Sequence, residues 1–144
     1  MSARITAILW LMFLPIGSLA ANFEGCYLLH VASWEPPAKE NGTYFLIPER
    51  IRLTQYPSST GEFAVRAFPG DPSLNLNEAT WRISKNRVQI TLSANGLSGV
   101  TFDLAESTLG LSGTARTFWD FPSQEQHSAV TARRTNCPRN GHDV

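Results

Sequence analysis

Apolar and polar residues alternate along short stretches of this chain, and that period of two is the feature that most limits how it can fold. From residue 21 onward, no stretch of ten or more residues carries apolar side chains at helical spacing. Side chains that alternate in this way lie on opposite faces of a β-strand, so that one face can pack on a core. The pattern therefore predicts an all-β protein.

Eight segments carry the alternation, and turn-forming residues separate them. The predicted strands cover residues 26–33, 50–54, 62–68, 79–84, 87–92, 99–104, 109–119 and 129–136. Most connections are short, which favours antiparallel neighbours in sequential order. Eight such strands predict a closed up-and-down β-barrel, and a two-sheet β-sandwich is the alternative.

The two cysteines favour the barrel over the sandwich. Cys26 opens the first predicted strand and Cys137 follows the last, and their positions in the alternation place both on the outward face. Closure of a barrel makes the first and last strands antiparallel neighbours, so the two side chains would meet across the seam. We therefore predict a disulfide between Cys26 and Cys137.

The first twenty residues predict a secretory signal peptide. Arg4 precedes an apolar run over residues 5–16, and small residues lead to a cleavage site after Ala20. A membrane-spanning helix needs about 18 or more apolar residues, so the run is too short to serve as an anchor. We expect an exported protein, periplasmic or secreted, with one β-barrel domain over residues 21–144 and a polar tail from about residue 138.

The charge balance gives no sign of a nucleic-acid partner, because 12 basic residues face 12 acidic ones. Six arginines fall on or near outward strand positions, and they could form an anion-binding stripe. Pairing across strands with neighbouring carboxylates is the preferred interpretation. The arginines are Arg50, Arg52, Arg66, Arg82, Arg87 and Arg116, and the carboxylates are Glu49, Glu62, Asp103 and Asp120.

The connections predict two unlike ends for the barrel, because alternate loops of an up-and-down barrel lie at the same end. The first, third, fifth and seventh connections are the longer ones, and we call their end the wide end. The second, fourth and sixth are mostly tight, and they share the tight end with both termini and the disulfide.

Aromatic residues concentrate at the predicted wide end. Trp81 and Trp119 have inward positions in the alternation, while Trp34, Phe45 and Phe121 fall in the loops above them. Small inward residues interrupt the larger apolar ones below, which would leave room for a small ligand: Gly113, Ala115 and Ala132. The sequence favours a pocket for an apolar or amphipathic molecule, with residues 34–48 as a lid, and simple core packing is the alternative.

Nothing in the sequence predicts an enzyme, a cofactor or a metal site. The histidines His30, His127 and His142 lie far apart, and no nucleophile, base and oxyanion donor can be placed together. The repeated Gly-Leu-Ser-Gly at residues 96–99 and 110–113 lacks the order of a nucleophile elbow. We interpret its glycines as points of strand curvature or bulging.

Gly25-Cys26-Tyr27 at the start of the first strand and Arg134 on the last resemble the calycin superfamily of lipocalin-like and avidin-like barrels. In that superfamily a Gly-x-Trp packs under an Arg from the final strand. By this resemblance Tyr27 takes the place of the Trp, and Arg134 should stack on it and bind backbone carbonyls near Phe23 and Gly25. The lipocalin motif of the sixth loop is replaced here by Ala105-Glu-Ser-Thr108.

The resemblance and the aromatic residues together give two functional hypotheses. The first is an exported barrel that binds a small apolar or amphipathic molecule. The second is a filled barrel that acts as a protein-interaction or inhibitor module of the cell envelope through its proline-stiffened loops, residues 34–37 and 68–72.

Overall fold

The computed structural model describes residues 22–37, 47–68, 78–93, 95–119 and 125–138, and within these ranges it contains eight β-strands. Each observed strand overlaps a predicted one. They are β1 (Gly25–Val31), β2 (Arg50–Pro57), β3 (Phe63–Ala67), β4 (Glu78–Ser84), β5 (Arg87–Ser93), β6 (Ser98–Ser107), β7 (Gly110–Trp119) and β8 (His127–Thr135). The predicted all-β class is confirmed.

The eight strands close into one antiparallel up-and-down barrel, in which each strand pairs with the next and β8 pairs with β1. The barrel, and not the sandwich, is therefore the fold, and its architecture fits a calycin-like barrel. At the closing seam Tyr27 lies opposite Arg134 and Val31 lies opposite Val130. In both strands, the side chains that the alternation predicted to point inward face the interior of the barrel.

The middle of the barrel is filled by large side chains. Trp81 has no exposed surface, and its ring lies 5.1 Å from that of Phe63. Its indole N–H donates a hydrogen bond to the Thr54 carbonyl at 2.7 Å, so the buried polar group is satisfied. The surrounding core is completed by apolar side chains from the other strands, such as Ile51, Leu53, Ile90, Leu92, Phe102 and Leu104.

The disulfide predicted from the cysteine positions is confirmed. Cys26 and Cys137 are bonded, with their Cα atoms 5.2 Å apart, and the bond joins the start of β1 to the segment just beyond β8. Thr135 is the residue directly opposite Cys26, so Cys137 reaches back from two positions further along the chain. Cys26 is buried despite its outward position.

Glycines of the repeated Gly-Leu-Ser-Gly segments lie where neighbouring strands come closest. A Cβ atom at Gly113 would lie 2.1 Å from the Asp103 carbonyl oxygen, and one at Gly99 would lie 2.1 Å from the Leu92 carbonyl oxygen. No side chain can occupy such a position without moving the backbone. The close approach of strands accounts for these two glycines, and no catalytic role is needed.

Candidate functional site at the wide end

The two ends of the barrel differ as the connections predicted. Lys85-Asn86 and Thr108-Leu109 form two-residue turns at the tight end. At the wide end, the residues between β1 and β2, between β3 and β4 and between β7 and β8 are in part outside the described ranges. The predicted lid is described only at its two ends, residues 34–37 and 47–48.

Residues 32–37 extend β1 beyond its end and follow β8 across the wide end. Glu35 and His127 exchange two backbone hydrogen bonds of 2.8 Å each. The Ser128 hydroxyl donates to the Ala32 carbonyl at 2.8 Å, and the Gln126 side-chain amide donates to the Pro36 carbonyl at 2.8 Å. These bonds fix the start of the long first connection against the barrel rim.

This extension places Trp34 over the interior, where it is half-buried and packs against the core. Trp119, at the last position of β7, is also half-buried and has the inward parity of Leu111 and Ala115. The two tryptophans therefore flank β8 on the inner side of the wide end. Small buried side chains line the wall between and below them: Ala115, Thr117 and Ser128.

Trp81 lies deeper than the sequence analysis expected. It is buried in the middle of the barrel, where its hydrogen bond to Thr54 fixes it in the core, so it forms part of the floor beneath the wide end. Phe45 and Phe121, the remaining aromatic residues predicted to contact a ligand, lie outside the described residues. Of the five predicted ligand contacts, the structure thus brings Trp34 and Trp119 to the rim.

A groove of about 400 Å³ opens on the side of the barrel next to this rim. It lies between the second half of β1 and the segment that leads into β2, where the regular pairing of the two strands stops at Leu28 and Arg50. Its walls combine apolar and polar surface: Leu28, Leu29, His30, Val31, Ile47, Pro48 and Glu49. Sequence reasoning missed this groove, because alternation marks where strands lie and not where their pairing ends.

The tight end is closed by Arg134. Its guanidinium lies over the Tyr27 ring, with its central carbon 5.6 Å from the ring centre, and donates hydrogen bonds to the backbone carbonyls of Asn22 and Glu24. The Tyr27 hydroxyl donates to the Phe23 carbonyl at 2.9 Å. A Cβ atom at Gly25 would lie 3.2 Å from the guanidinium, and its φ of 146° also favours glycine.

Burial of the Tyr27 phenol raises its pKa above the ordinary value of 10.0, because the charged phenolate loses its hydration. The charge of Arg134 and a hydrogen bond from it act in the opposite direction, and the carboxylate of Glu106 adds to the increase. Tyr27, Arg134 and Glu106 also line a cleft of about 440 Å³ at this end. The contacts of Arg134 and Tyr27 serve to hold the N-terminal segment across the barrel floor.

Among the described residues, no group of three His, Cys, Asp or Glu side chains is placed to hold a metal ion. His30 is exposed on the outer face of β1, and His127 lies 3.8 Å from Glu125 on the outer face of β8. Within the same residues, no helix is both long and apolar enough to cross a bilayer.

Comparison of the chain with protein-family models, with curated proteins and with solved structures finds no match. Functional inference therefore rests on the geometry of the barrel.

Proposed function

We propose that the protein is an exported calycin-type barrel that binds one small apolar or amphipathic molecule at its wide end. The observation that carries the proposal is the pair of half-buried tryptophans, Trp34 and Trp119, which face the interior above small side chains. Aromatic and apolar surfaces of this kind bind ligands by removing apolar area from water. The favourable free energy is about 25 cal/mol for each Å² of apolar surface that is buried.

The packed middle of the barrel limits the depth and size of the ligand. Trp81, Phe102 and Ile90 leave no exposed surface at that level, so a bound molecule would rest above them and would not reach the tight end. A short acyl chain or a single ring system with one polar group fits these limits.

Export rests on two features of the chain. The signal peptide predicted over residues 1–20 lies outside the described residues, and the disulfide between Cys26 and Cys137 is compatible with an oxidising compartment. A periplasmic or secreted binding protein is therefore the form in which we propose that it acts.

The binding proposal is tested by titration of the purified protein after bound molecules have been stripped by denaturation and refolding. Fatty acids of increasing chain length and a retinoid would be added while tryptophan fluorescence is recorded. We expect saturable quenching at one ligand per chain for at least one compound. If no compound in the panel gives saturable binding, the proposal is wrong.

Variants locate the site within the barrel. Trp119→Ala should weaken binding by about tenfold or more while changing thermal stability little, because the side chain is at the rim. Leu109→Ala is the matched control, because it also removes a large apolar side chain, 72% exposed, at the tight end. Equal losses in the two variants would mean that the ligand does not bind at the wide end.

A protein-interaction or inhibitor module is the second candidate, and the filled middle of the barrel favours it. The residues that would contact a protein partner are less exposed than the sequence suggested. Trp34 packs against the core, and the Arg50 guanidinium lies over the ring of the half-buried Phe68. Recovery of a protein partner with the exported protein, lost in a Phe68→Ala variant that binds no small molecule, would favour this candidate.

A further inference from the structure

The arginines on the outside of the barrel fall into two groups. On β4, β5 and β7 each outward arginine has a carboxylate partner, and the pairs are Arg82–Glu62 at 3.4 Å, Arg87–Asp103 at 2.6 Å and Arg116–Glu125 at 3.7 Å. Arg50, Arg52, Arg66 and Arg133 have no carboxylate within 4.0 Å in the part of the chain that the structure describes. We call these four residues the arginine wall.

The arginine wall is continuous across four neighbouring strands. Arg52 on β2 lies directly opposite Arg66 on β3, and Leu28 on β1 lies between Arg50 on β2 and Arg133 on β8. With strands about 4.8 Å apart, the four side chains project from an area roughly 14 Å across. Like charges that face each other directly destabilise a sheet, so Arg52 and Arg66 would gain from a bound anion between them.

No acidic residue interrupts this surface at the described outward strand positions. The other outward residues of β8, β1 and β3 are neutral or can carry only positive charge: His127, Ala129, Thr131, Thr135, Cys26, Leu28, His30 and Ala64. The sequence of β2 contains no acidic residue. The chain as a whole has a net charge of zero, and five described carboxylates lie beyond the ends of these strands: Glu24, Glu35, Glu49, Glu62 and Glu125. The outward face of these four strands is therefore basic between those carboxylates.

Two aromatic rings orient guanidinium groups of the arginine wall. Arg66 lies over the Tyr56 ring at 5.5 Å, and Arg50 lies over the Phe68 ring at 5.9 Å. Stacking on a ring holds the guanidinium plane while its N–H groups at the edge stay free to bind oxygen atoms. Tyr56 is itself 61% exposed, so the surface combines positive charge with an amphipathic aromatic side chain.

We propose that the arginine wall docks the barrel on a membrane surface that carries anionic phospholipid headgroups. Guanidinium groups bind phosphate oxygens through paired hydrogen bonds, and tyrosine favours the boundary between water and lipid. The wall lies on the convex outer side of the barrel, and a fluid bilayer can adapt to this curvature. The docking is independent of ligand binding at the wide end.

The test measures binding of the purified protein to vesicles by flotation. One set contains phosphatidylcholine with about one third phosphatidylglycerol, and the other contains phosphatidylcholine alone. We expect binding to the anionic vesicles only, and release as salt concentration rises, because screening weakens the attraction.

The decisive variant is Arg52→Gln/Arg66→Gln, which should weaken vesicle binding by about 25-fold, at roughly fivefold for each arginine near an anionic surface. It should fold at least as well as the wild type, because it removes two facing like charges. The control variant Arg82→Gln/Arg87→Gln changes the net charge by the same amount on β4 and β5, outside the arginine wall, and it should bind vesicles as the wild type does.

Three results would overturn the proposal. These are equal binding to both kinds of vesicle, equal losses in the decisive and control variants, and binding to soluble heparin with no binding to anionic vesicles. The last result would assign the arginine wall to a soluble polyanion instead of a membrane.

Discussion

Arg134 is the residue on which the tight end of the barrel depends. It stacks on Tyr27 and donates to the backbone carbonyls of Asn22 and Glu24, so a single side chain holds the N-terminal segment against the barrel floor. None of these contacts involves the wide end. Its role is therefore structural, and its loss should affect stability and not ligand affinity.

Arg134→Ala should lower the free energy of unfolding by about 1–3 kcal/mol, because its two hydrogen bonds and its cation–π contact lie at an exposed site, where solvent weakens each of them. Arg133→Ala is the control, because Arg133 has the outward parity and its loss should change stability by less than about 0.5 kcal/mol. Denaturant titration measures both. Equal effects would contradict the structural role of Arg134.

Tyr27 makes the tight end sensitive to alkaline pH. Burial raises the pKa of its phenol in the folded protein above the ordinary 10.0, so the folded state favours the neutral form. The stability that this provides is complete below pH 10 and is lost as the pH rises through the folded-state pKa. Wild-type melting temperature should therefore fall above pH 10.

Tyr27→Phe removes both the titrating group and the hydrogen bond to Phe23. The variant should be less stable than the wild type by about 1 kcal/mol near neutral pH, and the difference should shrink above pH 10. Tyr56→Phe, which removes an exposed phenol, is the comparison. Melting temperatures of the three proteins from pH 8 to 11 test this, and a constant difference for Tyr27→Phe would be the contrary result.

At the scale of strands, the bond between Cys26 and Cys137 connects the first and last elements of the barrel. Replacement of both cysteines by serine should lower the free energy of unfolding by about 2–5 kcal/mol, because the bond closes a loop with a sequence separation of 111 residues. Mass spectrometry of the unreduced protein should show two hydrogens fewer than the reduced mass. Free thiols in the purified protein would contradict the structure of the seam.

The strands themselves could be predicted from the sequence because each buries alternate side chains in one core. The observed β1 and β5 start and end within two residues of the predicted bounds. β6 continues past the predicted end at Leu104 to Ser107. Glu106 takes an exposed inward position at the tight end, beyond the buried core, where no apolar residue is required. The alternation of apolar and polar residues reflects burial of one strand face, so the pattern is absent where a strand extends beyond the core.

The depth of an inward side chain along the barrel axis could not be predicted from the sequence. The position of Trp81 in the alternation gave its inward direction, but its level depends on the tilt and stagger of all eight strands. The extension of residues 32–37 along β8 was missed for a related reason. It is held by backbone and polar hydrogen bonds next to two prolines, and such bonds leave no periodic pattern.

At the scale of the whole molecule, the net charge does not predict how the charged side chains are distributed over the surface. The count of 12 basic and 12 acidic residues is balanced, and the sequence analysis preferred cross-strand pairing over an anion-binding stripe for six outward arginines. The structure shows such pairs for three of the six: Arg82, Arg87 and Arg116. The barrel places paired arginines on β4, β5 and β7 and the arginine wall on β2, β3 and β8. The order of strands around the barrel brings Arg66 of β3 next to Arg52 of β2. Arg133 of β8 lies two strands away from β2, on the other side of β1.

The central claim is that a ligand binds at the wide end above a filled core, and the indole N–H groups test it most directly. The barrel carries three of them, in Trp34, Trp81 and Trp119, and a ¹⁵N–¹H spectrum can resolve each. Addition of the tightest-binding compound of the panel should shift the signals of Trp34 and Trp119. The Trp81 signal should stay in place, because its N–H is bonded to Thr54 in the core. A ligand that shifts Trp81 most, or shifts none of the three, would contradict the proposed site.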